Sequence, residues 1–179
     1  MKSAATPRHR IELHLRELAQ LFNSMDPTPF HHKDLDPKAE EFIESWALEF
    51  PSDSRFQITI HFEKLPAEGD STTLVTEAIH NYFDYKAELA RRELKQLLQQ
   101  GRMSLFIGLA FLALCLLIAD MIAKLAMGTF LTIVRESLTI GGWVAMWRPL
   151  QIFLYDWWPL ARRRRIYQNL SRAQICVAA

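Results

Sequence analysis

Cysteine is almost missing from this chain. Two occur in 179 residues, Cys115 inside an apolar run and Cys176 near the C-terminus, and they do not meet across a spanning segment. That spacing implies neither a disulfide framework nor a metal ribbon. The N-terminus, MKSAATPRHRIELHLREL, scatters its charges and lacks an apolar stretch before a small-residue cleavage site, so it is not a secretory signal peptide. An excess of one charge sign is lacking too, with 21 Lys and Arg against 20 Asp and Glu. Without a basic stripe, nucleic acid is not an expected partner. GxGxxG, GxxxxGK followed by Ser or Thr, GxSxG and HExxH are all absent. Nucleotide, P-loop, hydrolase and zinc-protease chemistry therefore lack their carriers, and neither an enzyme nor a cofactor is expected.

What the chain does have is an uncharged run over residues 103–119, MSLFIGLAFLALCLLIA. At 1.5 Å per residue it covers about 25 Å, and the residues up to Met127 extend it toward a hydrocarbon core of about 30 Å. It reads as a membrane-spanning helix. The near-zero total charge conceals a split on either side of it. Residues 1–101 hold 12 basic and 17 acidic side chains, whereas residues 102–179 hold 9 and 3.

Ahead of the span, Ile11, Leu13 and Leu15 alternate with Glu12, His14 and Arg16, the period of a half-buried strand. Residues 23–30 carry two prolines and read as a loop. Asp36 before Pro37 predicts a helix start, with Phe42, Ile43, Trp46, Ala47 and Phe50 as its apolar face and Pro51 as its end. A second strand alternates Phe56, Ile58, Ile60 and Phe62 with Gln57, Thr59, His61 and Glu63. After an exit loop at 65–71, a helix of about fifty residues starts past Asp70, carries Val75, Ile79, Tyr82, Ala90, Leu94 and Leu97 on one face, and runs into the membrane. Phe56, Ile58, Ile60, Trp46 and Leu94 are the expected core or contact positions. Two strands and two helices make a thin core, which predicts either open sheet edges and a stem that engage other copies or partners, or a stem that folds back on its own sheet.

Past residue 119 the sequence is symmetric about Met127 and Gly128. A tight hairpin centred there pairs positions whose numbers sum to about 255, setting Asp120 opposite Arg135 and gathering Asp120, Lys124, Arg135 and Glu136 into one charged layer. Interhelical pairing at the rim is the economical reading of that layer, and an ion pathway through several copies is the functional alternative. The second span is placed at 138–154, with Gly141 and Gly142 allowing close approach, in preference to 129–147; Trp147-Arg-Pro149 marks a break in either placement. Tyr155, Trp157 and Trp158 form an aromatic belt, and Arg162, Arg163, Arg164 and Arg165 act as a topology anchor and a contact for anionic lipid headgroups. His31, His32, Asp34 and Asp36 have metal-site chemistry without metal-site spacing, and a loop-centred metal enzyme is the least favoured reading.

The run from Trp147 to Arg165, WRPLQIFLYDWWPLARRRR, with an echo in NSMDPTPF at 23–30, resembles the C-terminal region of hypothetical two-span bacterial membrane proteins. The resemblance implies no activity and no functional residues. The expected fold is membrane α+β: a cytoplasmic β-α-β unit at 1–70, a helical stem at 71–101, a transmembrane hairpin with an interfacial aromatic segment at 102–160, and a basic cytoplasmic tail at 161–179. The expected location is the bacterial inner membrane, with two spans and both termini cytoplasmic. The expected role is a non-enzymatic, self-associating scaffold or accessory subunit, whose partners are the bilayer and either its own copies or another protein; a homo-oligomeric channel is the alternative.

Overall fold

Alternating apolar residues produce the two strands the sequence predicts, β1 (Arg8–Glu17) and β2 (Arg55–Lys64), which pair in parallel with Ile11 beside Ile58 and Leu13 beside Ile60. Between them lies α1 (Pro37–Glu49), the crossover that parallel pairing requires. The computed structural model describes residues 8–23, 34–64, 71–125 and 128–178. The predicted loops at 24–30 and 65–70, His31, His32 and Met127 lie outside them. The chain divides into two compact units, Met1–Arg91 together with Ala161–Ala179, and Arg92–Leu160.

The start of α1 is set by chemistry. The Asp36 side chain accepts a hydrogen bond from the Lys38 backbone N–H at 2.9 Å, and Pro37 occupies the first helical position, where its missing N–H leaves no donor unpaired. Asp36→Ala is expected to lower the stability of the first unit by about 1 kcal/mol, read as a shift in urea midpoint, with Asp36→Asn close to wild type. An unchanged midpoint in Asp36→Ala would show that the cap contributes nothing.

The long helix is α2 (Ser71–Leu125), 55 residues on end. Its first part belongs to the core of the first unit. Val75, Ala78, Ile79, Tyr82, Phe83, Ala87 and Ala90 are buried with the apolar sheet face and with Ile43 and Ala47 of α1. This favours the stem that folds back on its own sheet over one that offers this face to other copies. Of the expected core or contact positions, Phe56, Ile58 and Ile60 are core, whereas Trp46 is 43% exposed, since Ile43 and Ala47 turn the buried stripe of α1 away from it, and Leu94 is half-buried beyond the last buried turn of the stem.

The larger correction concerns residues 161–179, which are not a free basic tail. They continue α5 (Trp157–Leu170) and form a third strand, β3 (Gln174–Ala178), parallel to β2 with Ile58 beside Ile175 and Ile60 beside Val177. The sheet order is β1-β2-β3, so the inner edge of β2 is filled by the end of the chain. Ile166, Tyr167, Leu170 and Ala173 are buried in the same core as α1 and the first turns of α2.

The second unit holds the rest of α2, α3 (Thr129–Val144), α4 (Trp147–Gln151), a π-turn at Ile152–Asp156 and the start of α5. α3 starts at Thr129, where the less favoured placement of the second span began, because Gly128 in extended conformation ends the turn well before Leu138. The expected break is present, with α3 ending at Val144 and a new helix beginning at Trp147. The π-turn just before Pro159 fits the same logic. A proline ring clashes with the carbonyl four residues back in an α-helix, and the wider turn makes room for it.

Candidate functional site: an apolar helical unit and an open polar sheet face

The second unit presents apolar side chains outward. Phe106 is 69% exposed and Phe130 74%, and Ile107, Leu114, Leu117, Ile133, Ile140 and Trp143 are exposed with them. Soluble monomers seldom carry contiguous apolar surface on this scale. Among the described residues one helix, Thr72–Lys124, is long and apolar enough to cross a membrane, and only 17% of its most apolar 18-residue window is buried. The core helix of a soluble protein would be mostly buried.

Within this unit α2 and the returning helices run antiparallel. A Cβ added to Gly142 would stand 2.9 Å from Leu112 Cδ1 and 3.2 Å from Cys115 Cβ, one on Gly108 would meet the Ala145 carbonyl oxygen at 3.2 Å, and one on Gly101 would meet Ile152 Cγ2 at 2.8 Å. The contact pairs sum to 253–257, the register expected from the sequence. Gly142 is a close-approach position, since a side chain there would overlap α2, whereas nothing lies within 4 Å of a Cβ on Gly141.

The charged layer differs from expectation. Asp120 pairs with Lys124 at 2.5 Å, one turn along its own helix, and not with Arg135. Residues four apart on a helix are neighbours regardless of how the hairpin closes, so the local pair wins. Arg135 and Glu136 are exposed and make no ion pair among the described residues. All four side chains are exposed on the single chain. In the aromatic segment, Trp157 Nε1 donates to the Phe153 carbonyl at 2.8 Å, Trp158 stands exposed with its ring 6.0 Å from that of Trp157, and Arg148 meets Asp156 at 3.4 Å.

Two of the four consecutive arginines have structural duties in the first unit. Arg162 donates to the carbonyls of Leu48 at 2.6 Å and Phe50 at 3.3 Å, filling the unpaired acceptors at the C-terminal end of α1. Arg163 Nε lies 3.1 Å from Glu44. Arg164 Nε is buried without a hydrogen-bond partner, and Arg165 is exposed. Asn169 donates to the Ser52 carbonyl at 2.8 Å, and His80 Nε2 lies 2.8 Å from the Ala173 carbonyl. The arginines thus dock the end of the chain onto α1, a role the sequence reading missed because an unbroken basic run beside tryptophans also fits a topology signal.

Two glutamates one turn apart on α1 organise the rest. Glu40 accepts from the Tyr82 hydroxyl at 2.5 Å and pairs with Lys86 at 2.6 Å, while Glu44 engages Arg163. Burial, reinforced by the hydrogen bond and charge of Glu40, pushes the Tyr82 phenol well above its ordinary range. Burial, followed by the charge and hydrogen bond of Glu44, does the same for Tyr167. α1 is therefore clamped to α2 through Glu40 and to α5 through Glu44.

The opposite face of the sheet contributes nothing to the core. Glu12, His14 and Gln174 are exposed on it, and Gln57, Thr59, His61 and Cys176 are half-buried. The His14 and His61 rings stack with centroids 4.7 Å apart, Gln57 Nε2 approaches Cys176 Sγ at 3.5 Å, and the Thr59 hydroxyl is buried without a partner. Parallel sheets are usually covered by apolar packing on both faces, whereas this face is polar. Asp36 is committed to its cap, and the Asp34 carbonyl accepts from the Asn23 N–H at 2.8 Å. Among the described residues no three His, Cys, Asp or Glu side chains come together to hold a metal ion. Comparison with family models, curated proteins and solved structures finds no match to this chain.

Proposed function

We propose that this chain is a non-enzymatic inner-membrane protein in which the helical unit crosses the bilayer twice and the sheet unit serves as a cytoplasmic, self-associating interaction domain. The observation that carries the reading is the outward-facing apolar surface of the second unit, which water does not tolerate and lipid does. Sheet pairing supports the count of spans. β1 precedes the helical unit, β3 follows it, and both pair with β2, so the chain must leave and re-enter the same side of any membrane that unit occupies. Only an even number of crossings allows that. The antiparallel register at Gly142, Gly108 and Gly101 supports two. Arg91, Arg92, Lys95 and Arg102 ahead of the first apolar run favour the cytoplasm for the sheet unit, as does the arginine run that re-enters it. Arg165, exposed and without a hydrogen bond or ion pair among the described residues, is the member of that run we assign to anionic headgroups.

The test combines membrane extraction with thiol accessibility in bacterial cells. The protein is expected to stay in the membrane pellet after alkaline carbonate. In a Cys115→Ser background, Gly128→Cys should react with an impermeant maleimide in intact spheroplasts, and Cys176 only after lysis. Release by carbonate, or labelling of Cys176 in intact spheroplasts, overturns the reading.

A further inference from the structure

We propose that the outer edge of β1 is where two copies of this chain join, antiparallel and centred on His14, to make one six-stranded sheet. The inference rests on the self-association reading above and names the surface that performs it. β1 is ten residues long and has β2 on one side; among the described residues no strand occupies its other side. It holds neither proline nor lysine, and its charges are of both signs, so they can pair across a second copy as well as guard the edge.

Its hydrogen-bonding groups point the right way. The Arg16 N–H bonds to Gln20 Oε1 at 2.9 Å, so it is directed away from β2. Main-chain groups alternate along a strand, and those of Glu12 and His14 are therefore directed outward with it. In an antiparallel pair centred on His14, these even-numbered residues form the hydrogen-bonded positions. The Gln20 side chain is the stand-in that leaves when the second strand arrives.

Charge selects this register. About His14, Glu12 lies opposite Arg16 of the second copy, and the two-fold axis makes that pair twice. On the helix side, Leu13 lies opposite Leu15 and Ile11 opposite Glu17. Centring on Leu13 instead sets Arg10 against Arg16, centring on Glu12 sets that carboxylate against itself, and centring on Leu15 leaves Glu12 opposite Leu18 without a charge partner. Like charges directly opposed on a sheet are destabilising, and opposite charges stabilise. Among the described residues Glu12 has one long, exposed ion pair, with Arg10 at 3.4 Å. A groove of about 590 Å³ beside this edge combines apolar Leu13, Leu15, Ala39 and Phe42 with polar Glu12, His14 and Lys38, and Phe42 is 41% exposed. The same patch serves both copies, as a two-fold interface requires.

The experiment uses the full chain in lipid nanodiscs. Wild type is expected to be a dimer by mass. Glu12→Arg and Arg16→Glu, each of which turns two attractive pairs repulsive, should each weaken it about tenfold or more, and the double exchange should restore it. Both positions are exposed, and unchanged circular dichroism verifies the fold. A nitroxide on His14→Cys, in a Cys115→Ser and Cys176→Ser background, should show dipolar broadening that vanishes on dilution with unlabelled protein. A dimer indifferent to both reversals, or one without broadening, overturns the β1 edge while leaving self-association through another surface. A monomer throughout overturns both.

Discussion

A chain ending at Leu160 is expected to lose the fold of the first unit while keeping all of β1, α1, β2 and α2. Removal of residues 161–179 strips Ile166, Tyr167, Leu170 and Ala173 from the core, takes β3 off β2, and leaves the carbonyls of Leu48, Phe50 and Ser52 without the donors that fill them. Truncating one buried Leu or Ile to Ala costs about 2–5 kcal/mol, against a total stability of about 5–15 kcal/mol for a domain. Loss of the whole segment exceeds the reserve. Limited proteolysis should cut the shortened protein within α1 and β2 at protease levels that leave the full chain intact. Leu170→Ala alone should give a stable but weakened protein, and Arg165→Ala, exposed and without a structural duty, should match wild type. Protease resistance in the shortened chain would show that β3 and α5 are accessories to the core and not part of it.

That dependence was hard to read in the sequence for a physical reason. β1, β2 and α1 announce themselves because burial on one side imposes a period on local sequence, and Asp36-Pro37 carries its own start signal. α5 and β3 are held by contacts with residues more than a hundred positions earlier, Arg162 with Leu48 and Asn169 with Ser52. Local pattern does not encode such partners. Two signals were available: Ile166, Tyr167 and Leu170 at helical spacing, and the β-branched run around Ile175 and Val177 after the turn at Ser171. Four arginines beside an aromatic cluster masked both, since a snorkelling anchor and a helix-docking face use the same residues.

The helical unit was legible in register but not in detail. Chain symmetry about Gly128 gave the pairing that Gly142 with Leu112 and Gly108 with Ala145 display. Which charges pair was not legible, because it depends on rotation about each helix axis, and Asp120 resolves it locally with Lys124. Rotation also decides which glycine of the adjacent pair meets α2. The open sheet face was visible as the polar half of the β2 alternation, yet its breadth comes from β3, and the His14–His61 stack comes from a register that no single strand specifies.

Steep loss of stability above pH 10 is the second expected result, and it arises from Tyr82 and Tyr167. Both phenols are buried beside a glutamate of α1, and both are pushed well above their ordinary value near 10. In the unfolded chain they ionise near that value, whereas in the folded chain they keep their protons. Their contribution is therefore fully present below about pH 10, and it drains as pH rises from there toward the folded values. Linkage sets the slope at about 1.4 kcal/mol per pH unit for each group, or nearly 3 for the two together. Urea midpoints followed by far-ultraviolet circular dichroism in nanodiscs at pH 9, 10 and 11 should fall sharply between the last two. Tyr82→Phe with Tyr167→Phe should lower the midpoint at pH 8, where the hydrogen bonds to Glu40 and Glu44 are lost at about 1 kcal/mol or more each, yet flatten the decline above pH 10. The two curves should converge in alkali. A double variant that declines as steeply as wild type would assign the alkaline sensitivity to other groups, and the clamp of Glu40 on Tyr82 and of Glu44 on Tyr167 would then be a contact without linkage to proton binding.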